Sequence, residues 1–337
     1  MRLTFTLVLL LTSTWLMAQQ RAQYSNFALN NYLQNPAITG IEDYTDIKLG
    51  FRNQWVGVEG APRTYYFSAH MPINKKNIST QVNTRMRNGR KVKTFSQRSN
   101  SSKGHKIKPH QGLGFIAESD KSGAISRTNI NLTYAYHLPV SRSIKIAAGA
   151  GGGILNYNIN PVYLNLDNPA DAMLGSPALK STQLDLNLGL WAYSQNFFGG
   201  VSASQFLTGK IDENQSLETE TALQPHYYLS GGFKVNVSPA IALVPSALVK
   251  VAQPSPLSID INLRAVFYDR IYVGGTYRKE DALSAIGGVN IGPTLALGYA
   301  YDATTSELSP FSQGSHEVVL NIKLFNRSKV ICPAWLW

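Results

Sequence analysis

Disulfides do not organise this chain, because its single cysteine, Cys332, lies five residues from the carboxyl terminus and has no partner with which to build a framework. Beyond the first 22 residues there is no run of 18 apolar residues, which excludes a transmembrane helix. The six histidines (His70, His105, His110, His137, His226, His316) form no H-x-x-x-H pair and have no cysteine near them, so the sequence offers no metal site. No G-x-S-x-G motif and no spaced Ser–His–acid set is present. The glycine cluster "GAGGG" at 149–153 lacks the fingerprint spacing and following helix of a dinucleotide site and reads as packing or curvature within a strand. Catalytic residues, cofactors and metals are therefore all expected to be absent.

Acid is missing from one long stretch. Between residues 74 and 110 stand eleven of the 31 basic residues (Lys75, Lys76, Arg85, Arg87, Arg90, Lys91, Lys93, Arg98, Lys103, Lys106, Lys108) and none of the 20 acidic ones. This segment alone equals the formal net charge of +11, and the rest of the chain balances. So local an excess argues against nucleic-acid binding by the protein as a whole. Its self-repulsion and few large apolar side chains predict a solvated segment with no regular structure of its own.

What is present begins with an amino-terminal leader. Arg2 precedes the apolar "LTFTLVLLLTSTWLM", which is too short to span a bilayer, and Ala18 offers a small-residue cleavage point. Residues 1–18 are accordingly expected to be a secretory signal peptide. The following segment, "QYSNFALNNYLQNPAITG" at 23–40, carries no charge and is rich in Asn, Gln and Tyr. Residues 19–43 are expected to form a periplasmic strap whose amides satisfy backbone groups at a barrel mouth.

From residue 44 onward the apolar period is two. Leu184, Leu186, Leu188 and Leu190 alternate with Asp185, Asn187 and Gly189; Ile259, Ile261, Leu263, Ala265 and Phe267 with Asp260, Asn262 and Arg264. Val318, Leu320, Ile322 and Leu324 oppose Glu317, Asn321 and Lys323 in the same way. This is the signature of strands with one apolar and one polar face. About fourteen such runs are expected, near 44–54, 63–72, 111–120, 126–138, 143–157, 183–195, 197–206, 225–237, 241–252, 258–267, 271–278, 282–291, 294–302 and 315–325. Most match the 9–11 residues or so that cross a bilayer at a tilt, whereas sandwich strands run nearer five or six residues.

The connections after the fourth, sixth, eighth, tenth and twelfth runs are short, and those after the first, fifth, seventh, ninth and thirteenth are longer. Short turns on one rim and long loops on the other are how outer-membrane barrels are built. The expectation is an all-β fold: a transmembrane antiparallel β-barrel over 44–325, with a basic insertion at 74–110, a tail at 326–337 and both termini periplasmic. Tyr65, Tyr66, Tyr134, Tyr136, Tyr157, Tyr227, Tyr228, Tyr268, Tyr272, Tyr299 and Tyr301 gather at run ends and read as an interfacial aromatic girdle.

The opening segment, together with "GFRNQWVGVEGAPRTYYFSAHMPI" (50–73), "GLGFIAESDKSGAISRTNINLTYAYHLPV" (112–140) and "YDATTSELSPFSQGSHEVVL" (301–320), resembles the PorP/SprF family of type IX secretion membrane proteins. The resemblance runs in order through nearly the whole chain after the leader. Its most specific part is the block Arg52, Asn53, Gln54, Trp55, Gly57, Gly60, Ala61 and Pro62, preceded by Asn35 and Pro36. It implies a non-enzymatic outer-membrane component of secretion or gliding machinery. Such a component would be an adaptor or anchor, with partners in a periplasmic ring or lipoprotein, in the carboxy-terminal domain of a secreted adhesin, or in both, and with outer-membrane lipid around it. A passive porin or substrate channel is the alternative. The block is expected to serve structure and docking, and the basic insertion, which departs from the family pattern, to be a second docking arm.

Overall fold

A computed structural model describes residues 23–25, 27–75, 83–87, 90–94, 108–141, 143–161, 180–206, 224–252, 255–327 and 330. Among the described residues, seventeen strands follow three single-turn 3₁₀ segments at Phe27–Leu29, Asn31–Leu33 and Pro36–Ile38. The strands are β1 (Thr45–Asn53), β2 (Arg63–Ile73), β3 (Asn83–Arg87), β4 (Arg90–Thr94), β5 (His110–Ser122), β6 (Ile125–Pro139), β7 (Lys145–Ile159), β8 (Lys180–Tyr193), β9 (Phe197–Ser204), β10 (His226–Phe233), β11 (Val235–Asn236), β12 (Ile241–Ala252), β13 (Ser258–Phe267), β14 (Ile271–Arg278), β15 (Ala282–Ile291), β16 (Leu295–Thr304) and β17 (Ser315–Leu324). β11 continues β10 beyond Lys234, since both pair with β12. All except β3 and β4 form one antiparallel meander, and β17 returns to pair with β1 from Thr45↔Leu324 to Asn53↔His316. The wall is thus a closed barrel of fourteen strands, as the alternation predicts. Closure leaves the wall no free sheet edge, which a lipid environment demands because it offers nothing to hydrogen-bond an exposed backbone.

Period-two patterning becomes inside and outside. Leu184, Leu186, Leu188 and Leu190 are exposed on the outer surface, whereas Asp185 and Asn187 between them are buried in the lumen. Asp260, Asn262, Arg264, Glu317 and Lys323 are likewise buried inward. The girdle needs correction at four positions: Tyr66, Tyr228 and Tyr272 face the lumen and are buried, and Tyr157 faces inward beside Arg127, while Tyr65, Tyr227 and Tyr268 are exposed. Successive strand residues point to opposite faces, so a Tyr-Tyr pair cannot contribute both rings to one girdle.

Connections at 140–144, 194–196, 237–240, 268–270 and 292–294 make a short-turn rim. The opposite rim carries the longer loops, with tight exceptions at 123–124 and 279–281. Within the basic insertion the structure departs from the expectation of no regular element: β3 and β4 pair as a separate two-stranded sheet with Arg87 opposite Arg90. The side chains of this hairpin, and residues 76–82 and 95–107 in full, lie outside the described side chains.

The larger correction concerns the front segment. Residues 23–44 do not lie beneath the barrel as a periplasmic strap; they run down its lumen. Tyr24 and Ser25 sit level with Arg52 and Asp302, near the long-loop rim, and residues 39–44 leave at the short-turn rim, where β1 begins. Tyr32, Leu33, Ala37, Ile38 and Ile41 pack with inward-facing Ala147, Trp191, Tyr193, Phe198, Val244, Val266 and Val319. The physical reason is partnership. A buried polar inner wall needs hydrogen-bonding partners, and an uncharged Asn/Gln/Tyr-rich stretch of chain provides them.

Candidate functional site

The plug formed by residues 23–44 is fixed at three levels. At the long-loop end, the Arg52 guanidinium of β1 donates to Ser25 Oγ and pairs with Asp302 of β16 at 2.7 Å and Glu317 of β17 at 3.5 Å. The Ser25 backbone N–H donates to Glu317 Oε2 at 2.7 Å. The Tyr24 hydroxyl donates to Glu118 of β5, and its carbonyl accepts from Arg278 of β14 at 3.1 Å. Arg278 in turn holds Asp260 and Asp281 at 3.2 and 3.1 Å. Apart from the partly exposed Asp281, these charges are buried, and they survive there because each is paired and hydrogen-bonded.

At mid-height, Asn35 caps the third 3₁₀ turn, its Oδ1 accepting from Ala37 N–H at 2.9 Å, while Pro36 occupies the first turn position. Its Nδ2 donates to the carbonyls of Leu190 on β8 and Val201 on β9, both at 3.1 Å. One amide therefore closes the turn and staples it to the wall. Backbone contact this close requires glycine opposite. A Cβ at Gly189 would fall on Asn35 Oδ1, and one at Gly149 on the Pro36–Ala37 backbone. Gly149, the first residue of "GAGGG", thus serves close packing.

At the short-turn end, three histidines from adjacent strands surround the Thr39–Gly40 peptide. His70 Nδ1 of β2 accepts from Gly40 N–H at 3.2 Å. His110 Nε2 of β5 donates to Gly40 O at 3.2 Å, and His137 Nε2 of β6 donates to Thr39 O at 2.8 Å. His110 and His137 stack face to face, with ring centres 4.3 Å apart. Below them Lys75 donates to the carbonyls of Ile41 and Glu42 at 2.6 and 3.0 Å and pairs with Asp43 at 2.7 Å. Lys75 was expected to belong to the docking arm; the structure assigns it to the exit of the plug. Between the plug and β10, β12 and β13 a cleft of about 60 Å³ remains, lined by Tyr24, Gln34, His226 and Lys250 among others. That volume suits a few waters.

The sequence-predicted block divides in two. Arg52 faces inward as one corner of the charged cluster, and Asn53 ends β1 opposite His316. Gln54, Trp55, Gly57, Gly60 and Pro62 build the first long loop, closed by Gln54 N–H to Pro62 O at 2.9 Å. Trp55, Gly57 and Gly60 all take positive φ. The loop is tied to its neighbour at 305–314 through Val56 N–H to Gly314 O at 2.8 Å and Gln313 N–H to Val56 O at 2.7 Å, and to the tight 123–124 turn through Gly123 N–H to Gly60 O at 2.7 Å. Trp55 N–H adds a bond to Ser315 Oγ at 3.1 Å.

Of the basic positions, Lys108 is exposed, the backbones of Arg85, Arg87, Arg90, Lys91 and Lys93 lie in the hairpin, and Lys76, Arg98, Lys103 and Lys106 fall outside the described residues. His70, His110, His137, Glu118, Arg278 and Asp302 belong neither to the predicted block nor to the basic positions. Their inward parity in alternating strands was the available signal.

The sequence pattern of the family described as "Type IX secretion system membrane protein PorP/SprF" matches residues 16–322. The chain belongs to the PorP/SprF family. Its closed barrel, with an apolar outer belt, is an outer-membrane structure. A comparison with curated proteins finds no significant match. Among solved structures, this PorP/SprF chain is similar at 10% identity to the toluene transporter TbuX of Ralstonia pickettii, over 89% of this chain and 93% of that one, with a TM-score of 0.43. It is similar at 11% identity to the monoaromatic hydrocarbon channel CymD (91% and 94%, TM-score 0.45), and at 10% to Omp33 of Acinetobacter baumannii (85% and 99%, TM-score 0.41). At these scores the likenesses carry no functional argument, and the barrel assignment for this family member rests on its own strand pairing.

Proposed function

We infer that this PorP/SprF protein is a non-enzymatic adaptor or anchor of the type IX secretion machinery, holding a secreted surface protein or a periplasmic component at the outer membrane. The observation that carries this reading is the filled lumen. The chain's own residues 23–44 occupy the space that a porin or substrate channel would leave open, and they are held there by buried ion pairs, a two-carbonyl staple and a histidine cluster. A barrel that spends its interior on its own chain presents rims to its partners.

Two surfaces suit that work. On the long-loop rim, the loop at 54–62 is cross-tied to 305–314, which makes a preorganised platform with Phe311 exposed. On the opposite rim, the segment 76–110 carries ten basic residues and no acidic one, which favours an acidic partner surface through salt-sensitive contacts.

Reconstitution and pull-down separate the readings. An adaptor retains a secretion-system partner during purification and does not conduct in planar bilayers at neutral pH. Steady ion conductance at neutral pH with no retained partner would establish the channel instead. Trp55→Ala should lower partner retention more than barrel assembly, read by heat-modifiable migration. If assembly fails first, the block serves the fold alone.

A further inference from the structure

We propose that the histidine cluster is an acid-sensitive latch that holds the short-turn half of the plug in the lumen and lets it go as pH falls. The cluster is closed only by neutral rings with defined protons. A carbonyl oxygen can only accept, so His110 and His137 each carry a proton on Nε2, toward Gly40 O and Thr39 O. His137 Nδ1 then accepts from the Tyr193 hydroxyl at 2.9 Å. His70 Nδ1 accepts from Gly40 N–H, which places its own proton on Nε2, 3.6 Å from Asp46.

A second proton on His70 turns its acceptor into a donor facing the Gly40 N–H. A second proton on His137 removes the acceptor that holds Tyr193. Charging the stacked pair sets two cations face to face at 4.3 Å. The surroundings do not relieve this. Lys75, two residues beyond β2, and Lys145 from β7 face both His110 and His137. The carboxylates on that side, Glu42 and Asp43 at the plug exit, face Lys145, and Asp43 is already paired with Lys75. Around His70 stand Tyr32 from the plug, Asp46 and Lys48 from β1 and again Lys75, with Lys323 from β17 beyond Asp46. Asp46 is itself bonded to Lys48 at 2.7 Å.

Three protonatable rings therefore surround one peptide, and a second proton is costly on each: it abolishes the His70 bond to Gly40 N–H, frees Tyr193 from His137, and sets charge against charge in the stacked pair. In the released state the rings meet water and titrate near their ordinary value of about 6.5. Below that, each proton taken up only by the released state raises its population about tenfold per pH unit. The barrel wall, closed by its own ladder, is unaffected.

Hydrogen exchange on the full-length protein in detergent micelles reads this directly, after correction for the intrinsic pH dependence of exchange. Between pH 7.5 and 5, amides of residues 37–42 should lose protection by at least about tenfold, while wall amides of β5–β8 stay protected. The double variant His110→Gln/His137→Gln, which keeps side-chain donors but cannot charge, should lose most of that response. Unchanged protection of 37–42 in the native protein down to pH 5 would overturn the proposal without any variant. So would an undiminished acid response in a double variant whose heat-modifiable barrel is intact.

Discussion

Replacing Arg52 by Met tests whether the plug is held as a unit by its upper charges. The change removes the cation while keeping an unbranched apolar stem, and leaves Asp302 and Glu317, both buried, without their shared partner at the Ser25 contact. Removing one partner of a buried ion pair costs about 3–5 kcal/mol, because the remaining charge stays desolvated. Asp302 still lies in the field of Arg278, and Glu317 keeps the Tyr66 hydroxyl at 3.2 Å and the Ser25 N–H at 2.7 Å. The lower part of that range is therefore expected, about 3 kcal/mol, or roughly two decades in population. The cost falls on the plug and not on the wall, because β1, β16 and β17 keep their ladders whatever the side chain at 52. Hydrogen exchange of residues 24–35 should accelerate about a hundredfold while heat-modifiable migration is retained. The triple variant Arg52→Met/Asp302→Asn/Glu317→Gln should recover much of the protection, since replacing a complete charge set is close to neutral. Wild-type protection in the single variant, or equal damage in the triple, would refute the reasoning.

Three further outcomes follow from the geometry. Leu188→Arg, on the exposed outer face, should cost about 2–4 kcal/mol near the bilayer midplane and reduce barrel yield, whereas Asn187→Arg, inward beside Asp185, should assemble better; equal yields would mean the faces are misassigned. Gly149→Val places side-chain carbon on the Pro36–Ala37 backbone; overpacking of about 1–3 kcal/mol should expose residues 30–40 to protease while the barrel stays heat-modifiable. Deleting residues 78–106 removes the β3–β4 hairpin and eight of the eleven basic positions but no wall strand. The barrel should assemble, and adhesin display or secretion should fall; unchanged display would make the insertion functionally silent.

The wall was legible in the sequence because its physics is local. A strand that faces lipid on one side and lumen on the other must alternate, so Leu184 to Leu190 reveals inside and outside from seven consecutive residues. The pairing of 83–87 with 90–94 also has a local signal, because the sequence Asn88-Gly89 is a strong two-residue hairpin motif between Arg87 and Arg90, whereas the charge around it by itself points to disorder. The plug was not legible. Residues 23–44 have no period to read, only single 3₁₀ turns and uncharged polar side chains, a composition that suits a strap or a leader equally well. Their partners lie far along the chain, Ser25 with Glu317 and Asp302, Asn35 with Leu190 and Val201, Thr39 with His137. Those groups become neighbours only when β17 closes onto β1. The alternating sequence by itself determined a barrel with a polar interior. Only closure decided what fills it, because a buried polar wall must be satisfied by whatever part of the chain can reach it, and the segment joined to the start of β1 is the one that does.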